Sequence, residues 1–231
     1  MKNHGKLTLI PTPIAEGLPL EPVAKELILK SIENNPATTI IVVEDPKPAR
    51  RQWLSFGFPR EWIEKFHYLN EHTANEKSLE LLELLKKGNQ VFIMSDGGLP
   101  AFCDPGTKLV DLCHRHGIQV SMSPFPHSIS QALALSGYDG ARFHFYGFLP
   151  KDQTERNRLW SELSRQKYVK ILMDTPYRMK KILEEAKEHG ISEVFLATNL
   201  NAENEQLYRS SPDKITKLLR EEKAEFILII P

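Results

Sequence analysis

The chain has 231 residues and balances 30 Lys and Arg against 30 Asp and Glu, so its formal charge is zero and a globally basic nucleic-acid binder is not indicated. Hydrophobic residues make up 41% and charged residues 26%, a globular composition that argues against a disordered chain or a coiled coil and leaves room for one large or two small domains. No apolar run approaches the ~20 residues of a membrane span, the start reads poorly as a signal peptide, and Cys103 and Cys113 cannot build a disulfide framework, so the expectation is a reduced, cytoplasmic protein without membrane contact.

Apolar, β-branched runs predict strands at residues 7–10, 39–43, 91–94, 120–123, 143–148, 169–173, 194–197 and 226–230. Several are continuous rather than alternating, as expected for strands covered on both faces. Helical spacing predicts helices over 76–87, stopped by Gly88, over 107–116, stopped by Gly117, over 127–136, stopped by Gly137, and over 176–189, stopped by Gly190. Ser211-Pro212 opens a last helix with Ile215, Leu218 and Leu219 as its stripe. Alternating strands and helices predict an α/β fold. The expected domain boundary is Gly147-Phe148-Leu149-Pro150-Lys151-Asp152, where an apolar run yields to proline and a charged helix, giving domains 1–148 and 149–231.

The most informative stretch is Ser95-Asp96-Gly97-Gly98-Leu99-Pro100-Ala101-Phe102-Cys103-Asp104-Pro105-Gly106, between a strand and a helix. Ligands of open α/β sheets bind beyond the carboxyl ends of strands. Paired glycines let backbone approach a ligand, and two prolines stiffen the loop. Asp96 and Asp104 can accept hydrogen bonds from hydroxyls or an amino group. The stretch is neither a Rossmann fingerprint nor a P-loop, so a phosphate cradle is not expected. A tight turn with a helix cap is the alternative reading.

That loop resembles the S-D-A-G-T-P-G-I-S-D-P-G loop of the class III, tetrapyrrole-methylase-like S-adenosylmethionine methyltransferases, in the branch that 2′-O-methylates a cytidine ribose of small-subunit ribosomal RNA. Further matches run in the family's order from Gly5 to Phe226. Gly5-Lys6-Leu7 through Thr12-Pro13-Ile14 resembles the first strand and its A-T-P-I-G-N loop. Glu44-Asp45 is similar to E-D-T-R, and Glu71-His72 to H-E-H-N. Gly147-Phe148-Leu149-Pro150-Lys151 with Arg156 resembles G-F-L-P-R-K and its following arginines. Thr175-Pro176-Tyr177-Arg178 is similar to E-S-P-H-R, and Ala224-Glu225-Phe226 to the final G-E-F strand.

The resemblance implies two α/β domains with S-adenosyl-L-methionine in the cleft between them, a homodimer, and a role in rRNA processing on the small ribosomal subunit. It implies a cofactor shell drawn from Pro13, Ser95, Asp96, Gly98, Pro100, Phe102, Cys103, Ser128 and the Asn199-Leu200 turn. Ser95 and Asp96, ending a strand, are expected to point into the cleft, and Pro126-His127 to open a helix whose free amides hold the cofactor carboxylate. Glu44, Glu71 and His72 are the candidates for a base by motif position, with none singled out; Glu44, directly after a buried strand, equally suits a structural role. Lys151, Arg156 and Arg178 are candidates for substrate contact.

Departures from the family pattern bear on substrate. Ala15-Glu16 replaces G-N, Pro46-Lys47 replaces T-R, and Phe125-Pro126-His127-Ser128 replaces G-P-S-A. The basic A-R-E-L-T-K segment becomes Ala197-Thr198-Asn199-Leu200-Asn201-Ala202, without Arg or Lys. That loss motivates two alternatives: a methyltransferase of the same fold with another substrate, or a catalytically silent cofactor- and RNA-binding module. Tetrapyrrole substrates are disfavoured, because Leu9-Ile10-Pro11-Thr12-Pro13 lacks their G-x-G-P-G loop.

Between residues 149 and 181, nine basic residues face four acids. Arg156, Arg158 and Arg165 read either as a solvated helix face or as a phosphate track, and Arg178 as a substrate or structural anchor, or as a partner of Asp174. Cys103, Cys113, His114 and His116 lack zinc-site spacing, so no metal is expected. Trp53, Phe56, Phe58, Trp62 and Phe66 read as core or interface residues before base-stacking ones.

Overall fold

The computed structural model describes residues 4–125 and 127–231, which leaves the expectation for Pro126 outside the described residues. The chain divides between residues 125 and 126 into two compact units.

The first unit holds a five-stranded sheet of β1 (Lys6–Ile10), β2 (Thr39–Val43), β3 (His67–Tyr68), β4 (Gln90–Met94) and β5 (Gln119–Met122). The order is β3-β2-β4-β1-β5, and every pairing is parallel. Continuous apolar strands put alternate side chains on opposite faces, and both faces are covered. On one face Ile10, Ile41, Val43, Phe92 and Met94 pack against α1 (Pro22–Asn34) and α2 (Pro46–Ser55). On the other, Leu7, Ile40, Val42, Val91 and Ile93 pack against α3 (Ala74–Lys86) and α4 (Thr107–Arg115). Trp53, Phe56, Phe58, Trp62 and Phe66 are all buried in the first of these cores. Trp53 stacks on Phe58 at 4.2 Å between centroids, and its indole NH donates to the Pro59 carbonyl at 2.8 Å.

The second unit begins with α5 (Ser128–Ser136), which packs against β10 (Phe226–Ile230). Its sheet also contains β6 (Phe143–Phe148), β7 (Val169–Asp174), β8 (Val194–Thr198) and β9 (Gln206–Ser210), in the order β6-β7-β10-β8-β9. β6 and β7 are parallel; the remaining pairings are antiparallel. Leu172, Leu196, Phe226 and Leu228 form its core with α6 (Gln153–Leu163), α7 (Met179–Glu188) and α8 (Pro212–Leu218).

The boundary expected near residue 148 is therefore corrected. β6 pairs along its length with β7, so α5 and β6 belong with the second sheet. The composition change at Pro150 marks a strand-to-helix turn: Asp152 caps α6 by accepting from the Thr154 and Glu155 amides at 3.0 and 2.9 Å. Strands β3 and β9 were not expected. The first has two residues, and the second is a half-exposed edge strand with little apolar signal. Among the described residues, no helix is long and apolar enough to cross a membrane.

Candidate active site

In the first unit, the chain leaves β1 and β2 for helices on one face, whereas β4, lying between those strands, sends its chain to α4 on the other. Neighbouring loops that part to opposite faces open a crevice at the carboxyl ends of the strands, where α/β proteins bind ligands. The loop after β4 is clamped to the loop after β1. Thr12 and Gly98 exchange two backbone hydrogen bonds of 2.9 Å, and the Thr12 hydroxyl donates to the Ser95 carbonyl at 2.9 Å. The Ser95 hydroxyl donates to the Gly98 carbonyl at 2.7 Å. Ser95 is thus buried and spends its side chain on tying the loop together. The Asp96 carbonyl accepts from the Gln52 side-chain amide, which holds the loop from α2.

The loop carries an unusual density of left-handed backbone: Gly98 at φ 89°, Ala101 at 61°, Cys103 at 59° and Gly106 at 119°. Ala101 and Cys103 bear side chains in a region that costs non-glycine residues free energy, a kind of strain concentrated at functional sites. The Thr107 hydroxyl donates to the Ala101 carbonyl at 3.2 Å and helps hold the turn.

A recess opens beside this loop, lined by Val43, Glu44, Leu69, Ile93, Met94, Ser95, Pro100, Asp104 and Pro105. It encloses ≈ 200 Å³ counted to its open mouth. That is below the ~300–1,000 Å³ of typical small-molecule sites, so it takes part of a ligand rather than a whole nucleoside. Glu44 and Asp104 line it, and Asp96 and Glu71 add charge nearby. Burial raises the Glu44 carboxyl to about 7, with further contributions from the negative charges of Asp104, Asp96, Glu71 and Asp45. Burial and the charges of Asp96 and Glu71 raise Asp104 to about 6. Burial also raises Asp96, opposed by a hydrogen bond from the Asp45 backbone amide; its Oδ1 is buried without a hydrogen-bond partner. No described cation pairs with Glu44 or Asp104.

Glu44, Glu71, Ser95, Asp96, Gly98 and Pro100 are thus brought together at one end of the sheet, with Pro13 beside Gly97 and Ile14 beside Gly98. Cys103 is exposed, and Phe102 half-buried, on the same loop. His72 is exposed in the turn before α3 and contributes nothing to the carboxylate cluster. Asp104, expected from the loop sequence as a hydrogen-bond acceptor, lines the recess, whereas Thr12 was missed as a site residue. The partner of Thr12 lies 83 residues away and left no local signal.

In the second unit, Ser128 is the first residue of α5, and Asn199 adopts φ 49° at the end of β8, followed by buried Leu200. The Asn199 side-chain amide donates to Glu221 at 3.0 Å, so the segment lacking Arg and Lys is held by a carboxylate. Lys151 is exposed.

Arg156 corrects the expectation of a substrate contact or a solvated face. It is 1% exposed. Its Nε donates to both Glu185 oxygens at 2.8 and 2.7 Å, and its Nη1 to Asp174 at 3.1 Å and the Pro150 carbonyl at 3.3 Å. The Trp160 indole NH also donates to Glu185, at 2.9 Å. A guanidinium committed to two buried carboxylates is not free for phosphate. Arg178 pairs with the same Asp174 at 3.5 Å, the alternative weighed from sequence, and remains part-exposed.

A model of the tetrapyrrole (corrin/porphyrin) methylases matches residues 22–216. Ribosomal RNA small subunit methyltransferase I of Thermotoga maritima is 30% identical over 206 residues, covering 89% of this chain and 87% of its own length. The protein of that name from Mesomycoplasma conjunctivae is 29% identical over 228 residues, covering 97% and 90%. Among solved structures, a diphthine synthase superposes with a TM-score of 0.68 at 13% identity, over 98% of this chain and 89% of the other. A cobalt precorrin-4 methyltransferase gives 0.62 at 15% identity, over 97% and 94%. At those identities the structures establish a shared fold, and the family match establishes kinship: this chain belongs to the tetrapyrrole (corrin/porphyrin) methylase family of S-adenosylmethionine-dependent methyltransferases.

Proposed function

We propose that this enzyme methylates the 2′-hydroxyl of a ribose in small-subunit ribosomal RNA. The observation that carries the reading is Glu44: a carboxyl raised to about 7, lining a recess beside the strained loop after β4, is poised to accept a proton at neutral pH. The names of its relatives supply the RNA.

The residues of the first unit suit an S-adenosylmethionine site. Asp96 Oδ1 is an acceptor without a donor. A Cβ added at Gly97 would meet nothing nearer than the Pro13 carbonyl oxygen at 3.9 Å, leaving space for a ligand along the backbone. In this reading Asp96 accepts from hydroxyl or amino groups of the cofactor, and Gly97-Gly98, Pro100, Phe102 and Cys103 line its path. Bound, the cofactor supplies a methyl group activated for displacement. Ser95 keeps the loop in register. Glu44 takes the hydroxyl proton of the acceptor, its Oε carrying that proton away, and the negative charge of Asp104 and Glu71 sustains its basicity. Ser128, Asn199 and Leu200 as cofactor residues, Lys151 and Arg178 as RNA contacts, a homodimer and a cytoplasmic location are supported by the family resemblance alone.

The test is transfer of labelled methyl from S-adenosylmethionine to small ribosomal subunits from a strain lacking the corresponding enzyme. A 2′-O-methyl blocks alkaline cleavage, so the label should emerge from alkaline hydrolysis in a dinucleotide. Label in mononucleotides would identify a base as acceptor. No label in RNA would refute the RNA reading and favour another substrate.

A further inference from the structure

We propose that Tyr177 is a stacking platform for an unpaired base of the RNA substrate, clamped in place by the buried Arg156 network. The inference rests on the RNA reading above.

Tyr177 is 76% exposed, an unusual state for an aromatic ring in an ordered segment. It lies in the short 3-10 turn Pro176–Arg178, directly after β7. β6, β7 and β8 run the same way, so Phe148, Asp174 and Thr198 end at one edge of the second sheet. Phe148 is also 52% exposed there. Two exposed aromatic rings, Phe148 and Tyr177, thus lie at and just beyond the carboxyl ends of neighbouring parallel strands.

The turn is held rigidly from below. Thr175 donates its amide to Asp174 Oδ1 at 2.7 Å, and the Arg178 amide donates to the Thr175 carbonyl at 2.9 Å. Asp174 is 4% exposed, and its other oxygen binds Arg156 and Arg178. Pro176 fixes φ at the start of the turn. Burying a guanidinium and two carboxylates is a costly way to stabilise a fold. Here it also fixes the base of a turn whose tip presents a ring to solvent. A ring that is already ordered loses little entropy when a planar ligand stacks on it.

The surroundings favour nucleic acid. The Lys223 ammonium lies 4.5 Å from the Tyr177 ring centroid. Arg178 and Lys180 flank the ring in sequence but pair with Asp174 and Glu222, so exposed Lys223 is the cation that bears on the ring. The nearby acids are engaged: Glu222 pairs with Lys180 at 2.8 Å, and Glu221 accepts from Asn199 and Asn204. An exposed ring with a cation beside it is how single-stranded RNA is bound, by stacking a base and neutralising a phosphate. It also offers cationic contact within the unit whose Ala197–Ala202 segment has none.

The test is the affinity of a short unstructured RNA, by fluorescence anisotropy, together with methyl transfer to small-subunit RNA. Tyr177→Ala and Tyr177→Leu should weaken binding roughly 5- to 150-fold and raise KM for RNA. Tyr177→Phe and Tyr177→Trp should retain it, and kcat at saturating RNA and S-adenosylmethionine affinity should stay within twofold. Lys223→Gln should reduce the slope of log affinity against log salt by about 0.7. If wild type methylates RNA and Tyr177→Leu does so with unchanged KM and affinity, the proposal is overturned while the RNA reading stands. If wild type labels no RNA, both fall. If Tyr177→Ala instead dissociates an oligomer at unchanged RNA affinity, the ring belongs to an interface between copies, and the proposal is likewise overturned.

Discussion

Glu44 and Gly98 show how single residues carry the site. Free glutamate ionises near 4.5, but burial and four neighbouring carboxylates hold Glu44 near 7. A base must be ionised to act, so kcat should rise between pH 6 and 8 with an apparent pKa near 7. Glu44→Gln should lower kcat by about 10²- to 10⁴-fold and remove that inflection, as a pH–rate series would reveal. The same shift has a stability consequence. Between pH 4.5 and 7 the folded form keeps a proton that the unfolded chain has released, so Glu44 lowers stability progressively as pH rises through that window. Glu44→Gln should therefore melt above wild type at pH 8, with the gap closing at pH 4. Gly98 sits at φ 89°, and an added Cβ would lie 3.5 Å from Ile14. Gly98→Val should abolish S-adenosylmethionine binding in calorimetry, a loss of at least about 100-fold, while circular dichroism stays unchanged; retained affinity would remove the loop from the cofactor site.

Among the elements, α6 departs furthest from its sequence. Arg156 sits in a helix otherwise polar on most faces, yet it reaches both Glu185 of α7 and Asp174 of β7, with Trp160 of the same helix donating to Glu185. The ion pairs join two helices and a strand beneath the Thr175–Arg178 turn. Arg156→Met would leave two carboxylates buried without their main counter-charge. The expected cost is about 3–5 kcal/mol, measured by urea denaturation. A loss under about 1 kcal/mol would mean that water reaches the site and that the network does not hold the turn.

At the scale of the whole molecule, two sheets have separate cores. Separate cores permit separate unfolding, so the calorimetric enthalpy should exceed the van't Hoff enthalpy. Arg156→Met should lower only the transition that belongs to the second unit. A single transition with equal enthalpies, shifted as a whole by that variant, would show that the two units unfold as one.

The strands and most helices were legible because they are local: continuous apolar runs, proline at helix starts and glycine at helix ends act over a few residues. The loop at 95–106 was legible for the same reason, since glycines, prolines and two aspartates sit side by side in the chain. What lies far apart in sequence was decided by folding. Phe143–Phe148 reads as an apolar run on either side of a boundary, and only its hydrogen bonds to β7 assign it to the second unit. Arg156 looks solvated because charge alone does not reveal burial; two carboxylates 18 and 29 residues away make burial tolerable. Glu44 is an ordinary glutamate in sequence, and its raised pKa comes from burial and from Glu71, Asp96 and Asp104, which the loops after β3 and β4 bring within electrostatic reach alongside neighbouring Asp45. Sequence determines what each short segment forms; tertiary structure determines which charges must share a low-dielectric neighbourhood, and the chemistry of this site rests on that.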